Sequence, residues 1–334
     1  MSPAGMTVFL ASLAAWLVSL LVTMAVRRVA VQRNMLDLPG RRRSHTLPTP
    51  RGGGVGVLAG ALLPLLAVVW WYAALDTRVI AYVIGAALVA AVGWCDDVRG
   101  VAPLYRLLVH ALAAALFVFA LHGAGGMAAS PLFMALAGFA IVSAINIWNF
   151  MDGINGIASS QAALVALALA VLSGAAPWTL AALFLAIACL GFLPFNVPRA
   201  RVFLGDVGSG SIGFMVAALL VQAVASSNLR WPLALVLVSA FATDSALTLG
   251  KRIVQGKAWW RPHREHTYQW LVRAGYRHGQ VSLGYLLWSV LAVALVLALP
   301  YGADVLPAAL WLLATALLWI ALRAHARRKL RRTM

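Results

Sequence analysis

Long apolar segments alternate with short polar segments along almost the whole chain. A helix rises about 1.5 Å per residue, so 17 to 20 apolar residues are about enough to cross 30 Å of hydrocarbon. Eleven segments meet this criterion: 7–26, 54–72, 79–95, 104–122, 131–148, 157–173, 178–195, 210–226, 231–249, 281–299 and 305–322. The pattern predicts an all-α polytopic membrane protein with about eleven transmembrane helices in one integral-membrane domain, 1–334.

The basic residues predict an orientation. The first apolar segment has no basic residue before it and is followed directly by Arg27 and Arg28, which indicates a retained helix rather than a cleaved signal. With the N-terminus outside, 24 of the 26 Lys and Arg residues fall in cytoplasmic segments, leaving Arg78 and Arg230 outside. We therefore expect a periplasmic N-terminus and a cytoplasmic C-terminus. The predicted cytoplasmic loops cover about 27–53, 96–103, 149–157, 196–209 and 250–280.

Composition excludes a soluble globular domain. The 334 residues are 63% hydrophobic and only 10% charged, and the mean hydropathy is +0.90. The net charge of +17 is explained by the loop distribution, so we expect no nucleic-acid partner. Seven of the nine acidic residues also fall at the predicted inner ends of helices or in inner loops. The chemistry of the protein is therefore expected at the cytoplasmic face.

A polar stretch at 146–159 interrupts two apolar segments and contains three Asn, one Asp and two Gly, without Lys or Arg. Glycine lets a backbone turn sharply and approach a ligand, and Asn and Asp offer oxygens to a metal or a polar substrate. A helix-breaking turn in which Asn and Asp cap backbone groups is the alternative.

Two further motifs carry carboxylates at helix ends. Asp96 and Asp97 end the third apolar segment, where a divalent cation or a simple solvated helix end would accommodate them. Asp206 lies in the Gly-rich turn 203–211, which leads into the eighth apolar segment. A helix N-terminus attracts anions, but an Asp there would repel a phosphate unless it holds a metal that bridges to it. The motif therefore favours a metal–diphosphate site, and an Asp or Ser that caps the helix is the alternative.

The first and the largest inner loops carry basic and aromatic residues. In the first loop, Arg42, His45 and Arg51 could bind phosphate, although a basic loop at lipid headgroups needs only charge. The largest loop could cover a sugar nucleotide or lie at the interface as an amphipathic segment. Its candidates are Trp259, Trp260, His263, Arg264 and His266. Asp244, inside the ninth segment, is a further functional candidate because intramembrane acids are rare.

Together these motifs resemble the polyprenyl-phosphate N-acetylhexosamine-1-phosphate transferases (glycosyltransferase family 4). The matching pieces follow the family order along nearly the whole chain: Asp37-x-Pro39 with Arg42 and His45, Pro48 to Gly53, Asp96-Asp97, Asn149 to Gly153, Leu204-Gly205-Asp206-x-Gly208-Ser209, and Arg264-x-His266.

The resemblance implies transfer of a sugar-1-phosphate from a UDP-sugar to undecaprenyl phosphate in the bilayer, with release of UMP. It implies Mg²⁺, for which Mn²⁺ can substitute, held by Asp206 and Asp152. By the resemblance the catalytic residues are Asp96, Asp97, Asp152, Asp206 and His266, and the substrate-binding residues are Asn149, Asn155, Phe203, Arg42, His45, Arg51, Arg264 and His263. It also implies the bacterial inner membrane, a cytoplasmic active site and, as in some relatives, a homodimer.

The chain departs from the family at two positions. Asn155 replaces a second Asp, and His266-Thr267-Tyr268-Gln269 keeps only the first His of the family's His-x-His-His. Both departures are similar to the branch that initiates O-antigen or other surface polysaccharides with GlcNAc or 6-deoxy-HexNAc donors. A transporter and a polyprenyl-diphosphate phosphatase are the alternative functions; the acids gathered at one face, without an internal repeat, disfavour the transporter.

Overall fold

A computed structural model describes residues 2–37, 48–123, 125–174, 176–258, 263–299 and 304–333. Within these ranges the chain is almost entirely helical. The helices are α1 Pro3–Gln32, α2 Gly54–Trp71, α3 Thr77–Arg99, α4 Pro103–His122, α5 Pro131–Met151, α6 Ile157–Leu172, α7 Trp178–Asn196, α8 Asp206–Ala225, α9 Trp231–Leu237, α10 Ser239–Val254, α11 Thr267–Arg273, α12 His278–Ala298 and α13 Val305–Thr333. Two short strands, β1 Leu36–Asp37 and β2 Thr49–Pro50, and a 3₁₀ turn, Gly126–Ala129, complete the described elements.

The structure confirms an all-α polytopic membrane protein and corrects the number of spans. Nine helices of the described ranges are long and apolar enough to cross a membrane, and α9 with α10 makes a tenth if the pair is one broken span. The two are bent by 86° at Val238, so 231–249 is not the straight helix that its apolar sequence predicts. The apolar α6 has only 16 residues, about 24 Å, and is largely buried against α7. Its hydrophobicity therefore reflects burial in protein.

The centre of the molecule is α8. All its residues from Val207 to Val224 are buried, and it packs against α3 and α5. Close approach of α3 depends on Gly93, because a Cβ at that position would lie 2.5 Å from the carbonyl oxygen of Asp206. This contact places the carboxyl end of α3 directly beside the first turn of α8.

A short backbone ladder places the loop between α1 and α2 beside the same helix ends. Strand β2 pairs with β1 in antiparallel register. The N–H of Phe203 donates to the carbonyl of Pro50 at 2.8 Å, and the N–H of Gly53 donates to the carbonyl of Phe203 at 2.9 Å. As a result Arg51, which lies between these two contacts, is held against the turn that begins α8.

Candidate active site

Three carboxylates from distant parts of the chain meet where α3 ends and α8 begins. The Arg106 guanidinium, on the first turn of α4, forms an ion pair with Asp96 and a second with Asp206, at 3.1 Å from Nη1 to Oδ2. Asp97 Oδ2 accepts the backbone N–H of Val207 at 3.1 Å. The structure therefore brings together the two predicted carboxylate motifs, which are about 110 residues apart in sequence.

The turn before α8 has a backbone that this arrangement requires. Gly205 has φ +77°, in the left-handed region that residues with a Cβ rarely adopt. A Cβ there would also approach Asp97 Oδ2 to 2.5 Å. The glycine thus lets the Asp97 carboxylate lie against the first N–H groups of α8, where the helix dipole stabilises negative charge.

Arginine side chains surround these carboxylates. Arg51 contacts Asp37 at 2.8 Å and lies 3.7 Å from Asp97, and about a third of its side chain remains exposed. Arg106 is exposed to the same extent. Two partly exposed guanidinium groups have N–H donors that can bind a phosphate. When no phosphate is present, the neighbouring carboxylates offset their positive charge.

The polar stretch after α5 forms the next side of the site. The Asn149 amide donates to Ser209 Oγ at 3.1 Å, which ties the end of α5 to the first turn of α8. Burial raises the pKa of Asp152 to about 7, with a smaller contribution from the nearby charge of Asp97. The structure therefore adds Asn149 and Asp152 to the neighbourhood of Asp97 and Ser209.

Asn155 lies at the edge of this region. Its side-chain amide donates to the carbonyl of Pro198 at 3.1 Å, and its own carbonyl accepts the Ser282 hydroxyl at 2.8 Å. Asn155 thus links the loop before α6 to the loop after α7 and to α12.

His266 reaches the site through Phe150. The two rings stack with centroids 6.1 Å apart, and His263 lies 5.0 Å from His266 on the other side. Burial lowers the pKa of His266, and Asp244, 3.9 Å from Nδ1, only partly offsets this. Burial and then His266 lower the pKa of His263 to about 4. Both imidazoles are therefore neutral at pH 7. Arg264 lies between the two histidines in sequence, and its carbonyl accepts a hydrogen bond from Arg273 Nη2 at 2.6 Å.

The remaining predictions divide into two groups. Arg42, His45, Trp259 and Trp260 lie outside the described residues. Arg106 lies in the site although the sequence did not single it out, and Tyr268, an aromatic residue of the largest loop that the sequence offered as a cover for a sugar nucleotide, also lies there. Tyr268 donates to the carbonyl of Phe150 at 3.0 Å and its ring fills the space beside Gly153. The available signal for Arg106 was an arginine in the first turn of an otherwise apolar helix.

Across the described ranges, no group of three or more His, Cys, Asp or Glu side chains has the arrangement of a complete metal site. Asp206 retains about a third of its side-chain exposure, and Asp97 Oδ1 is buried without a hydrogen-bond partner. Carboxylates of this kind are what Mg²⁺ uses when substrate phosphates and water supply its other ligands. The donor set therefore fits a metal that binds together with a phosphate substrate.

In this geometry, partly exposed arginines and carboxylates lie together at the ends of apolar helices, an arrangement that suits a membrane-embedded enzyme acting on phosphate compounds. A family model described as glycosyl transferase family 4 matches residues 79–224, which include Asp96, Asp97, Asp152 and Asp206. The chain is 30% identical over 322 residues to the decaprenyl-phosphate N-acetylglucosaminephosphotransferase of Mycolicibacterium smegmatis, covering 84% of this chain and 79% of the relative.

Two other relatives agree. The enzyme of the same name from Mycobacterium tuberculosis is 29% identical over 324 residues, with 84% of this chain and 79% of the relative covered. The phospho-N-acetylmuramoyl-pentapeptide-transferase of a Synechococcus species is 30% identical over 257 residues, with 71% and 72% covered. The chain belongs to the polyprenyl-phosphate N-acetylhexosamine-1-phosphate transferases of glycosyltransferase family 4.

Proposed function

We propose that this protein transfers an N-acetylhexosamine-1-phosphate from a UDP-sugar to undecaprenyl phosphate. An oxygen of the lipid phosphate attacks the sugar-bearing phosphorus of the donor, and the bond from that phosphorus to the bridging oxygen breaks. UMP leaves with the electron pair, and the product is a polyprenyl-diphosphate sugar. The relatives' names, which specify decaprenyl phosphate or undecaprenyl phosphate together with N-acetylglucosamine, support this reaction.

The observation that carries the proposal is the meeting of Asp97, Asp206 and Arg106 at the junction of α3, α4 and α8. Two anionic substrates repel each other, so their reaction needs fixed positive charge on the attacked phosphate. Arg106 and Arg51 supply that charge from two sides. Asp206 and Asp152 would hold Mg²⁺, whose chemistry at this position is to neutralise the diphosphate as its bond breaks.

The neighbouring residues hold the donor. Asn149 and Asn155 lie on either side of Asp152 in the polar stretch, and Phe203 is bonded through its backbone to Pro50 and Gly53, beside Arg51 in the chain. Neutral His263 and His266 can donate hydrogen bonds to a diphosphate or sugar without adding charge. A phosphate monoester is already ionised at neutral pH, so the attacking lipid phosphate needs no obligate general base.

The donor sugar, the pathway and the side of the membrane are proposed from the sequence motifs. The donor is GlcNAc or a 6-deoxy-HexNAc, and the product initiates O-antigen or another surface polysaccharide. The asymmetry of Lys and Arg supports an active site on the cytoplasmic side, and the membrane proposed is the bacterial inner membrane. A panel of UDP-HexNAc donors offered to the purified protein identifies the sugar, and a reporter fused to either terminus identifies the orientation.

The decisive experiment measures UMP release from UDP-GlcNAc with and without undecaprenyl phosphate, with Mg²⁺ and with EDTA. We expect release only when lipid phosphate and metal are both present. Asp206→Asn should lower kcat by about 10³-fold or more, equivalent to about 4 kcal/mol of barrier. Asp76→Asn, a carboxylate that caps the other end of α3, is the matched control and should retain activity.

Three outcomes contradict the proposal. Normal turnover in Asp206→Asn removes the metal assignment. Release of inorganic phosphate from undecaprenyl diphosphate, without UMP formation from any donor, identifies a phosphatase instead. Uptake of UDP-sugar into sealed vesicles without product formation identifies a transporter.

A further inference from the structure

A groove of about 570 Å³ lies between α10, α11, α12 and α13. Such a volume is within the range of about 300–1,000 Å³ found for ligand sites. Most of its wall is apolar, including Leu271, Trp288, Leu318 and Leu322. Gly284 of α12 is exposed on this wall, and a Cβ added there would meet no atom within 4 Å. The groove therefore has room along α12 for an apolar chain.

One end of the groove is polar and cationic. Tyr276 and His325 line it, and their side chains are hydrogen-bonded at 2.8 Å. Lys329 Nζ lies 4.0 Å from the centre of the Tyr276 ring. Lys329 is one helical turn beyond His325, and Arg332, which is exposed, continues the same side of α13. Positive charge thus gathers where the apolar groove ends.

The groove lies on the far side of α11 and α12 from the reaction centre. Thr267 lines the groove, whereas the next residue, Tyr268, donates to the carbonyl of Phe150 in the site. On α12, Ser282 contacts the Asn155 loop, and Gly284, two residues further along the helix, faces the groove. A phosphate held at Lys329 would therefore be separated from the carboxylates by two helices.

We propose that this groove binds an anionic phospholipid. An acyl chain fills the apolar part beside Gly284, and the phosphodiester is held by Lys329, His325 and Tyr276. The polyprenyl phosphate substrate fits this position poorly, because its phosphate has to reach Asp97 and Asp206. A phospholipid here packs against α11 and α12, which carry the His266 and Asn155 contacts of the site. Anionic lipid should accordingly raise turnover.

Lipid retention is tested directly. Purified protein is equilibrated with nanodiscs of phosphatidylcholine that contain increasing phosphatidylglycerol, and the phosphatidylglycerol retained per chain is counted by native mass spectrometry. We expect about one retained molecule. Gly284→Leu should abolish retention by filling the groove. Gly138→Leu is the matched control, because Gly138 of α5 also has open space around its Cβ position.

The headgroup contacts are tested by charge removal. The double variant Lys329→Gln with Arg332→Gln should bind phosphatidylglycerol about thirtyfold more weakly, about fivefold for each charge. Arg327→Gln with Arg331→Gln removes two charges from the same helix end on the opposite face and should retain the lipid. UMP release should increase with phosphatidylglycerol for the wild type, but not for Gly284→Leu, whose rate in pure phosphatidylcholine should equal that of the wild type.

Two results overturn the proposal. In the first, Gly284→Leu and the Lys329/Arg332 double variant both retain phosphatidylglycerol as the wild type does. In the second, Gly284→Leu raises KM for polyprenyl phosphate while lipid retention is unchanged, which would assign the groove to the substrate chain. The activity result depends on the proposed function. The retention result does not, so the two failures are distinguishable.

Discussion

Asp244 organises the segment that carries His263, Arg264 and His266, and its replacement tests that role. Its buried side chain lies on α10 and accepts hydrogen bonds from four donors, one on each of α10, α11, α12 and α13. Thr267 N–H lies 2.9 Å from Oδ1, Trp319 Nε1 also lies 2.9 Å from Oδ1, and Tyr285 OH lies 2.6 Å from Oδ2. Thr248, within α10, adds a fourth contact at 3.2 Å. One carboxylate therefore joins α11, α12 and α13 to α10.

The size of the effect follows from this geometry. Asp244→Asn keeps the shape but turns an acceptor oxygen into an NH₂ group, which then faces a donor. Hydrogen bonds to charged groups contribute about 1.5–3 kcal/mol each, against about 0.5–1.5 kcal/mol for neutral ones. With all four bonds made to a neutral group and at least one of them replaced by a donor–donor contact, we expect a loss of about 3–5 kcal/mol, the range for a broken buried charge network.

Hydrogen exchange locates that loss. We expect much faster exchange in residues 263–274 of Asp244→Asn, together with a higher KM for UDP-sugar and a smaller change in kcat. Tyr285→Phe removes only the 2.6 Å bond and should show a weaker form of the same pattern. In the double variant the two effects should be less than additive. Asp76→Asn is the control, since Asp76 is partly exposed and caps α3. Wild-type exchange and melting temperature in Asp244→Asn would refute the reasoning.

Two further predictions concern the carboxylates of the site. Arg106→Lys should lower kcat by about 10- to 100-fold, because Nη1 alone contacts Asp96 and Asp206 and the guanidinium keeps further N–H donors for a phosphate, which a compact ammonium cannot present in the same fork; Arg78→Lys, away from the site, should have no effect in the same UMP assay. In EDTA the melting temperature should fall as pH rises from about 4 to about 7. Folded Asp152, with a pKa of about 7, keeps a proton that the unfolded chain releases near 3.8, so unfolding is favoured as the pH increases. Asp152→Asn should reduce that slope, and an unchanged slope would contradict the assignment.

Sequence reasoning succeeded where the signal is local. The fold class follows from apolar segments whose length is fixed by the bilayer. The polar residues interrupting them are conspicuous because charge is costly in lipid. Asp96-Asp97 and the turn before α8 could therefore be selected from the sequence, and the structure places them in contact.

Sequence reasoning failed where the structure depends on a contact between residues that are far apart in the chain. The residues from Leu233 to Val238 are uniformly apolar, and Ser239 follows without Gly or Pro near the bend, so hydropathy shows a continuous helix where the structure has a break of 86°. The apolar run in α6 is equally ambiguous, because burial in protein and burial in lipid select the same residues. The pairing of Arg106 with Asp206 joins positions 100 residues apart, and no periodicity along the chain encodes which helices are neighbours.

The contacts of Asp97 distinguish positioning from proton transfer. Its side chain is almost fully buried, Oδ2 is held by the N–H of Val207, and Arg51 Nη1 lies 3.7 Å from Oδ1. A carboxylate fixed in this way sets where α8 begins relative to α3, and so sets the separation of Asp206 from Asp96. Movement of Asp97 toward a substrate proton would release the first turn of α8. We therefore infer that Asp97 fixes the geometry in which, under the proposed function, Asp206 and Arg106 act on the phosphates.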